Sequence, residues 1–155
     1  SKKITLIKLK NKKLNNPKIT KLSSIIATKK YIRNELKKLK VDFIKNNRNV
    51  IVEGRDIASK IMPNADLKIF FKCSLKEKAK RRLKEFRVLN KNIKLADVEK
   101  SLKLRDFVDK NRKESPLLFV KGAVLVDTTK LTIKQMKLTL INLVKKKLTI
   151  KYGNL

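Results

Sequence analysis

Histidine and tryptophan are absent from this 155-residue sequence. Without histidine there are no histidine-based triads, metal sites or general bases. Without tryptophan, and with aromatics at only 5%, stacking platforms for single-stranded nucleic acid are sparse. The single cysteine, Cys73, excludes an internal disulfide and a cysteine-rich metal site. It follows an apolar run and reads as a core residue rather than a nucleophile. Glycine occurs only at positions 54, 122 and 153, and these cannot compose a phosphate loop of the G-x-x-x-x-G-K type. No run of about 18 apolar residues is present, so no transmembrane helix is expected. The segment Ser1-Lys2-Lys3-Ile4-Thr5-Leu6 has no apolar stretch long enough for a signal peptide.

Acidic residues are also scarce, with 13 against 43 basic ones and a net charge of +30. One reading is a nucleic-acid-binding domain, since lysine patches release counterions from phosphate backbones. The other is compositional bias. Lysine, asparagine and isoleucine abound in every segment, and all three have AT-rich codons. The hydrophobic fraction of 41% supports a core, and the length suits one domain or a core with a small satellite.

Taken in order, Lys3 to Lys10 alternates in part and reads as a strand, with a turn at Asn11-Lys12-Lys13. Asn16 is placed as an N-cap before Pro17 at the first helical position, opening a helix to about Ala27. Thr28 is a candidate cap for a second helix from Lys29 to about Asn46. Its apolar stripe is Ile32, Leu36, Leu39 and Phe43. Val50-Ile51-Val52-Glu53 reads as a buried parallel strand, and Leu67 to Phe71 and Ala123 to Asp127 as two more. Ser74 with Glu77, and Thr132 with Gln135, are capping-box patterns that open further helices. Another helix spans about Ala96 to Asn111 and ends before Ser115-Pro116. The final helix carries Ile133, Met136, Leu140, Ile141, Val144 and Leu148. The predicted order is β-αα-β-β-αα-β-α, an α/β domain with a parallel sheet.

Two clusters carry chemistry. Gly54-Arg55-Asp56 follows the run at Val50, at the strand end where open α/β sheets hold ligands. Gly54 allows close backbone approach, Arg55 offers a planar fork to phosphate, and Asp56 accepts from an amine or caps the next segment. A turn with a surface ion pair would use the same residues. Arg105, Asp109 and Arg112 lie at i, i+4 and i+7 and share one helical stripe. An intrahelical ion-pair ladder, worth a few tenths of a kcal/mol per pair, accounts for that spacing equally well.

Taken together these residues resemble the bacterial cytidylate kinase family of nucleoside monophosphate kinases. The resemblance rests on Ser24 and Arg33 nine residues apart, Gly54-Arg55-Asp56 with Pro63-Asn64-Ala65-Asp66-Leu67-Lys68-Ile69-Phe70, and Ala79-Lys80-Arg81-Arg82. It continues through Arg105-Asp106, Asp109, Asn111-Arg112, Pro116-Leu117 and Val126-Asp127-Thr128-Thr129. It is weakest before about Pro17.

The resemblance implies phosphoryl transfer from ATP, with Mg²⁺, to CMP or dCMP. It implies that Ser24, Arg33 and Asp56 meet the cytosine and Asp109 the ribose. Arg55, Arg105 and Arg112 would surround the CMP phosphate as the catalytic residues. It sets one of Arg81 and Arg82 at the ATP phosphates, on a helical lid spanning about 73–115. It divides the chain into a nucleoside-monophosphate-binding insert at 1–46 and a partial kinase core at 47–155. A cytoplasmic monomer with no specific nucleic-acid partner, no membrane and no protein-bound metal is the accompanying expectation. Three departures stand out. Ala58-Ser59 occupies a place where the family has Gly-Thr, and Val108 one where it has an arginine near ATP. The phosphate loop and its preceding central strand have no counterpart. The expectation is therefore a P-loop-type kinase fold incomplete at its N-terminus, a C-terminal fragment that keeps the CMP side and is inactive alone.

Overall fold

The computed structural model describes residues 17–88 and 92–153, without the side chains of Pro17, Lys18, Thr20, Lys21 and Ser24. The strand and turn expected over 3–13 and the Asn16 cap lie outside the described residues. Helix α1 spans Pro17–Ile26 and helix α2 Lys30–Lys45. A single π-helical turn covers Ile57–Ile61. Strand β1 (Lys68–Lys72) leads to α3 (Leu75–Arg87) and α4 (Leu95–Asn111). Strand β2 (Ala123–Asp127) and α5 (Ile133–Tyr152) complete the order.

β1 and β2 pair in parallel, with Lys68 opposite Ala123 and Lys72 opposite Asp127. Parallel neighbours need a crossover, and here α3 and α4 supply it. Just past the ladder, the Thr128 amide donates to the Lys72 carbonyl at 2.8 Å and the Thr128 hydroxyl to the same oxygen at 3.1 Å. Thr128 is thus a buried hydroxyl with its partner in place. Phe70 of β1 meets Phe119 edge to face, with centroids 5.4 Å apart.

The core sits between α3 and α4. Ala79, Leu83 and Phe86 repeat at i, i+4 and i+7 on α3 and pack on Val98 of α4. Ile93, Leu95 and Leu102 close its rim. Full burial of a side chain the size of Phe86 contributes about 1.5–3 kcal/mol. Ser74 caps α3 by accepting from the Glu77 amide, and Thr132 with Gln135 forms a complete capping box on α5. Lys78 of α3 pairs with Asp106 of α4 at 2.6 Å, so the helix pair that carries the core is also tied by charge.

Three local expectations are corrected. The strand expected over 50–53 does not form. Its residues take no regular secondary structure, no described strand pairs with them, and Ile51 is 99% exposed. A β-branched run supplies propensity only; a strand exists when a neighbour takes up its donors and acceptors. The sheet among the described residues is accordingly two-stranded rather than three-stranded. The second helix is not capped by Thr28. Its N-cap is Lys29, whose side chain makes no capping bond, while the Thr28 hydroxyl donates backwards to the Ile25 carbonyl at 2.7 Å. That bond closes α1 instead of opening α2. Cys73 lies just beyond β1 and is half-buried rather than a core residue.

Candidate functional site

The segment after α2 returns along its flank and brings Gly54-Arg55-Asp56 back to the first turn of that helix. There the Arg33 Nη2 donates to Asp56 Oδ2 at 2.6 Å, and Nη1 to the Ala27 carbonyl at 3.1 Å. The two side chains are 15% and 13% exposed. Asp56 is fixed from its other side as well, because its carbonyl accepts from the Lys60 amide at 2.9 Å as the π-helical turn begins.

Gly54 is not in the left-handed region. What excludes a side chain is packing. A Cβ there would stand 3.0 Å from Ile57 Cγ1, and Ile57 is buried.

The end of α4 supplies the opposite wall. Asp109 is buried and sits among three guanidiniums. Arg112 Nη1 donates to its Oδ1 at 3.0 Å, Arg55 Nε stands 3.1 Å from its Oδ2, and Arg105 Nε 3.9 Å from the same oxygen. The contacts to Oδ2 are ionic only, and that buried oxygen has no hydrogen-bond donor. The surrounding side chains close it off from solvent. Arg112 is further fixed by donating from Nε to the Ser115 carbonyl at 2.7 Å. Ser115 holds φ at +53°, an uncommon conformation for a residue with a Cβ, costing about 1–2 kcal/mol. Leu117 donates its amide to the Asp109 carbonyl at 2.7 Å, which folds the chain back over the end of α4.

These groups border one cavity of about 220 Å³, with Arg33, Asp56, Arg55, Arg105, Asp109 and Arg112 all on its wall. Six of the seven residues expected at the acceptor nucleotide thus meet at one place. The seventh, Ser24, lies on α1, and its side chain is outside the described residues. The site is strongly positive. Burial, and next the neighbouring Arg55, hold Arg105 below its ordinary value. Burial, and next Arg33, do the same to Arg112. In both, burial is the main cause and the neighbouring guanidinium the second, with Asp109 acting in the opposite direction.

Arg81 and Arg82 do not border this cavity. Arg81 is turned toward the β2–α5 connection, where it donates to the Thr128 carbonyl at 2.7 Å and to Glu77 Oε1 at 3.0 Å. It edges a separate groove with Lys80, Lys84 and Arg87. Arg82 pairs with Glu85 and stacks over the Phe86 ring at 4.6 Å. Two residues went unnoticed at the sequence level. Lys37 and Lys40 of α2 also line the cavity. The signal was available, because Arg33, Lys37 and Lys40 fall at i, i+4 and i+7 beside the apolar stripe.

Among the described residues no group of three cysteines and carboxylates could hold a metal ion. None of the described helices is long and apolar enough to cross a membrane.

The family model described as "Cytidylate kinase" matches residues 5–146 of this chain. A protein named cytidylate kinase from Fusobacterium nucleatum subsp. nucleatum is 41% identical over 136 residues, covering 88% of this chain and 60% of the relative. One of the same name from Rickettsia rickettsii (strain Sheila Smith) is 38% identical over 136 residues, covering 88% and 62%. A third from Phytoplasma mali is 41% identical over 139 residues, covering 88% and 60%. The chain thus spans about 60% of the length of the curated relatives it matches.

Proposed function

Because this chain belongs to the cytidylate kinase family, we propose that its cavity receives the phosphoryl acceptor CMP or dCMP, the donor being ATP. The observation that carries the reading is the convergence on one cavity of a carboxylate–guanidinium pair, Asp56–Arg33, and a second carboxylate ringed by Arg55, Arg105 and Arg112.

Cytosine offers acceptors at O2 and N3 and an amine at N4. Arg33 donates to the first pair and Asp56 accepts from the amine, with Ser24 as the third contact. Uracil presents a carbonyl where cytosine has its amine, so Asp56 disfavours it. Asp109, on the cavity wall, is assigned to the ribose hydroxyls. Arg55 and Arg105, 39% and 36% exposed, turn their forks to the phosphate. Arg112, 10% exposed, anchors Asp109 and adds charge. Phosphoryl transfer asks the protein mainly for positioning and for neutralisation of charge, which these groups provide on the acceptor side.

The donor side is a different matter. The amides and lysine of a G-x-x-x-x-G-K loop would cradle the ATP phosphates, and the three glycines of these 155 residues do not compose one. Turnover is assigned to the site completed by such a loop, and acceptor binding to the residues present here. Mg²⁺ would be carried on the donor phosphates. Residues 1–46 fit the acceptor-binding insert and 47–155 the kinase core, with the lid at about 73–115. Arg81, held by Thr128 and Glu77, fits a brace at the lid's base better than a free phosphate ligand. A monomer in the cytoplasm, without a specific nucleic-acid partner, completes the proposal.

Calorimetry of the 155-residue chain with CMP, dCMP and UMP tests the acceptor reading, with CMP and dCMP expected to bind more tightly than UMP. Joining a relative's phosphate-loop segment should restore CMP phosphorylation. Equal binding of CMP and UMP, or CMP binding indifferent to Arg55→Ala, would overturn it.

A further inference from the structure

The cavity wall carries six cationic side chains and two carboxylates. Arg33 is paired with Asp56, and Arg55, Arg105 and Arg112 share Asp109. Lys37 is exposed, one turn past Arg33, and salt screens its charge.

Lys40 differs from all of these. It is half-buried, and its side chain makes no hydrogen bond or ion pair with any described residue. Its Nζ stands 3.7 Å from the point a Cβ on Gly54 would occupy. That sets an uncompensated ammonium against the backbone immediately before Arg55. An ammonium with no anion beside it among the described residues, on the wall of the cavity that Arg55, Arg105 and Arg112 also line, is placed to meet an anion that enters there.

We propose that Lys40 is a phosphate-binding residue of the acceptor pocket, its ammonium taking a non-bridging phosphate oxygen of the nucleoside monophosphate beside the Arg55 fork. This rests on the reading of the cavity as a CMP site. Arg55 and Lys40 approach from two different elements, the segment after α2 and the third turn of α2 itself. A guanidinium holds phosphate in a fixed plane, whereas an ammonium is a point charge with three rotatable donors. Lys40 therefore adds charge without imposing an orientation. Its share of the binding falls on the phosphate and not on the base or the sugar.

The test is calorimetric titration of the 155-residue chain with CMP and with cytidine, for the wild type, Lys40→Gln, Lys40→Arg and Arg55→Ala. A charge-assisted contact of this kind corresponds to about tenfold in affinity. Lys40→Gln is expected to weaken CMP about tenfold and leave cytidine within about twofold, with Lys40→Arg keeping most of the CMP affinity. A pH series adds a second readout. The second phosphate pKa is about 6, so wild-type CMP affinity should fall from pH 7.5 to 5, and the fall should be smaller in Lys40→Gln. If Arg55→Ala loses CMP while Lys40→Gln does not, the Lys40 role is wrong and the pocket reading stands. If Lys40→Gln weakens cytidine and CMP alike, Lys40 is structural. If the wild type binds neither compound, the pocket reading fails and the Lys40 role with it.

Discussion

Arg33 and Asp56 are 23 positions apart in the chain, yet Nη2 and Oδ2 stand 2.6 Å apart, with both side chains largely shielded from water. The pair joins α2 to the segment before the π-helical turn, so one contact sets both the tertiary fold and the spacing of the groups assigned to cytosine. Asp56→Asn removes the charge and leaves Arg33 unpaired, which should destabilise by about 1–3 kcal/mol. It should also narrow the preference for CMP over UMP, because an amide can donate to the uracil carbonyl. Calorimetry with the two nucleotides, alongside urea unfolding, separates the effects. A variant that is destabilised but keeps its full preference would take Asp56 out of base recognition.

Asp109 serves three guanidiniums, and no other described acidic side chain pairs with Arg112. Asp109→Ala should therefore cost more than the Asp56 change, about 3 kcal/mol, because it strands a 10%-exposed arginine. Asp109→Asn keeps the shape and an acceptor oxygen, so it should fall between wild type and alanine in both stability and CMP binding. Urea midpoints at unchanged m-value give the ranking. An alanine variant as stable as the wild type would mean that the three arginines do not depend on this carboxylate.

The sequence was most legible where structure is decided within a few residues. Thr132 and Gln135 form the expected capping box, Ser74 accepts from the Glu77 amide, and α1 begins at Pro17. It was least legible where a partner decides. Val50 to Val52 have strand character, but strand formation depends on a neighbour that local propensity cannot reveal. The Arg105–Asp109–Arg112 stripe could be read from spacing alone. That Arg55 would arrive from another segment to share Asp109 was implied by family resemblance and not by spacing. Lys40 escaped notice because the eye follows the apolar stripe of α2, and its importance lies in the distance to Gly54, which no periodicity encodes.

Burial, and next the neighbouring guanidiniums, lower Arg105 and Arg112, and an anion that enters the cavity should offset the second of these. CMP at 100 times its dissociation constant should stabilise the fold by about 2.7 kcal/mol through mass action. Phosphate alone should raise the melting temperature by less, and cytidine by less than CMP. The gain from CMP should shrink between 50 and 300 mM salt as screening grows. Thermal melts with the three compounds at two salt concentrations suffice. Cytidine stabilising as much as CMP would show that the arginines do not face the phosphate.

At the end of β2, Asp127 is held below the usual carboxylate range by the Thr129 side chain and then by the Thr129 amide, which donates to Oδ1 at 2.9 Å. The folded pKa is depressed, so the contribution to stability is present above the unfolded value of about 3.9. It is lost as pH falls through the lower folded value. Asp127→Asn should therefore be less stable than wild type at pH 6, with the gap closing below about pH 4. Urea midpoints for both proteins across this range check the sign. A gap that widens on acidification would contradict it.

Gly54 tests whether packing or ligand approach fixes the residue before Arg55. Its backbone would accept any residue, since φ is not positive. A Cβ, however, would meet Ile57 at 3.0 Å and 3.1 Å on two carbons, and Ile57 is too well packed to withdraw freely. Gly54→Ala should destabilise by about 1–3 kcal/mol through overpacking. Ile57→Val, which removes the Cδ1 methyl of that contact, should recover part of the loss when combined with it. A double-mutant cycle by urea unfolding should then give a coupling of about 0.5 kcal/mol or more. If the alanine variant is as stable as wild type yet binds CMP weakly, glycine is needed at this position for the ligand and not for Ile57. If stability and binding fall together and Ile57→Val restores both, the glycine acts by letting Ile57 seat the turn that carries Asp56.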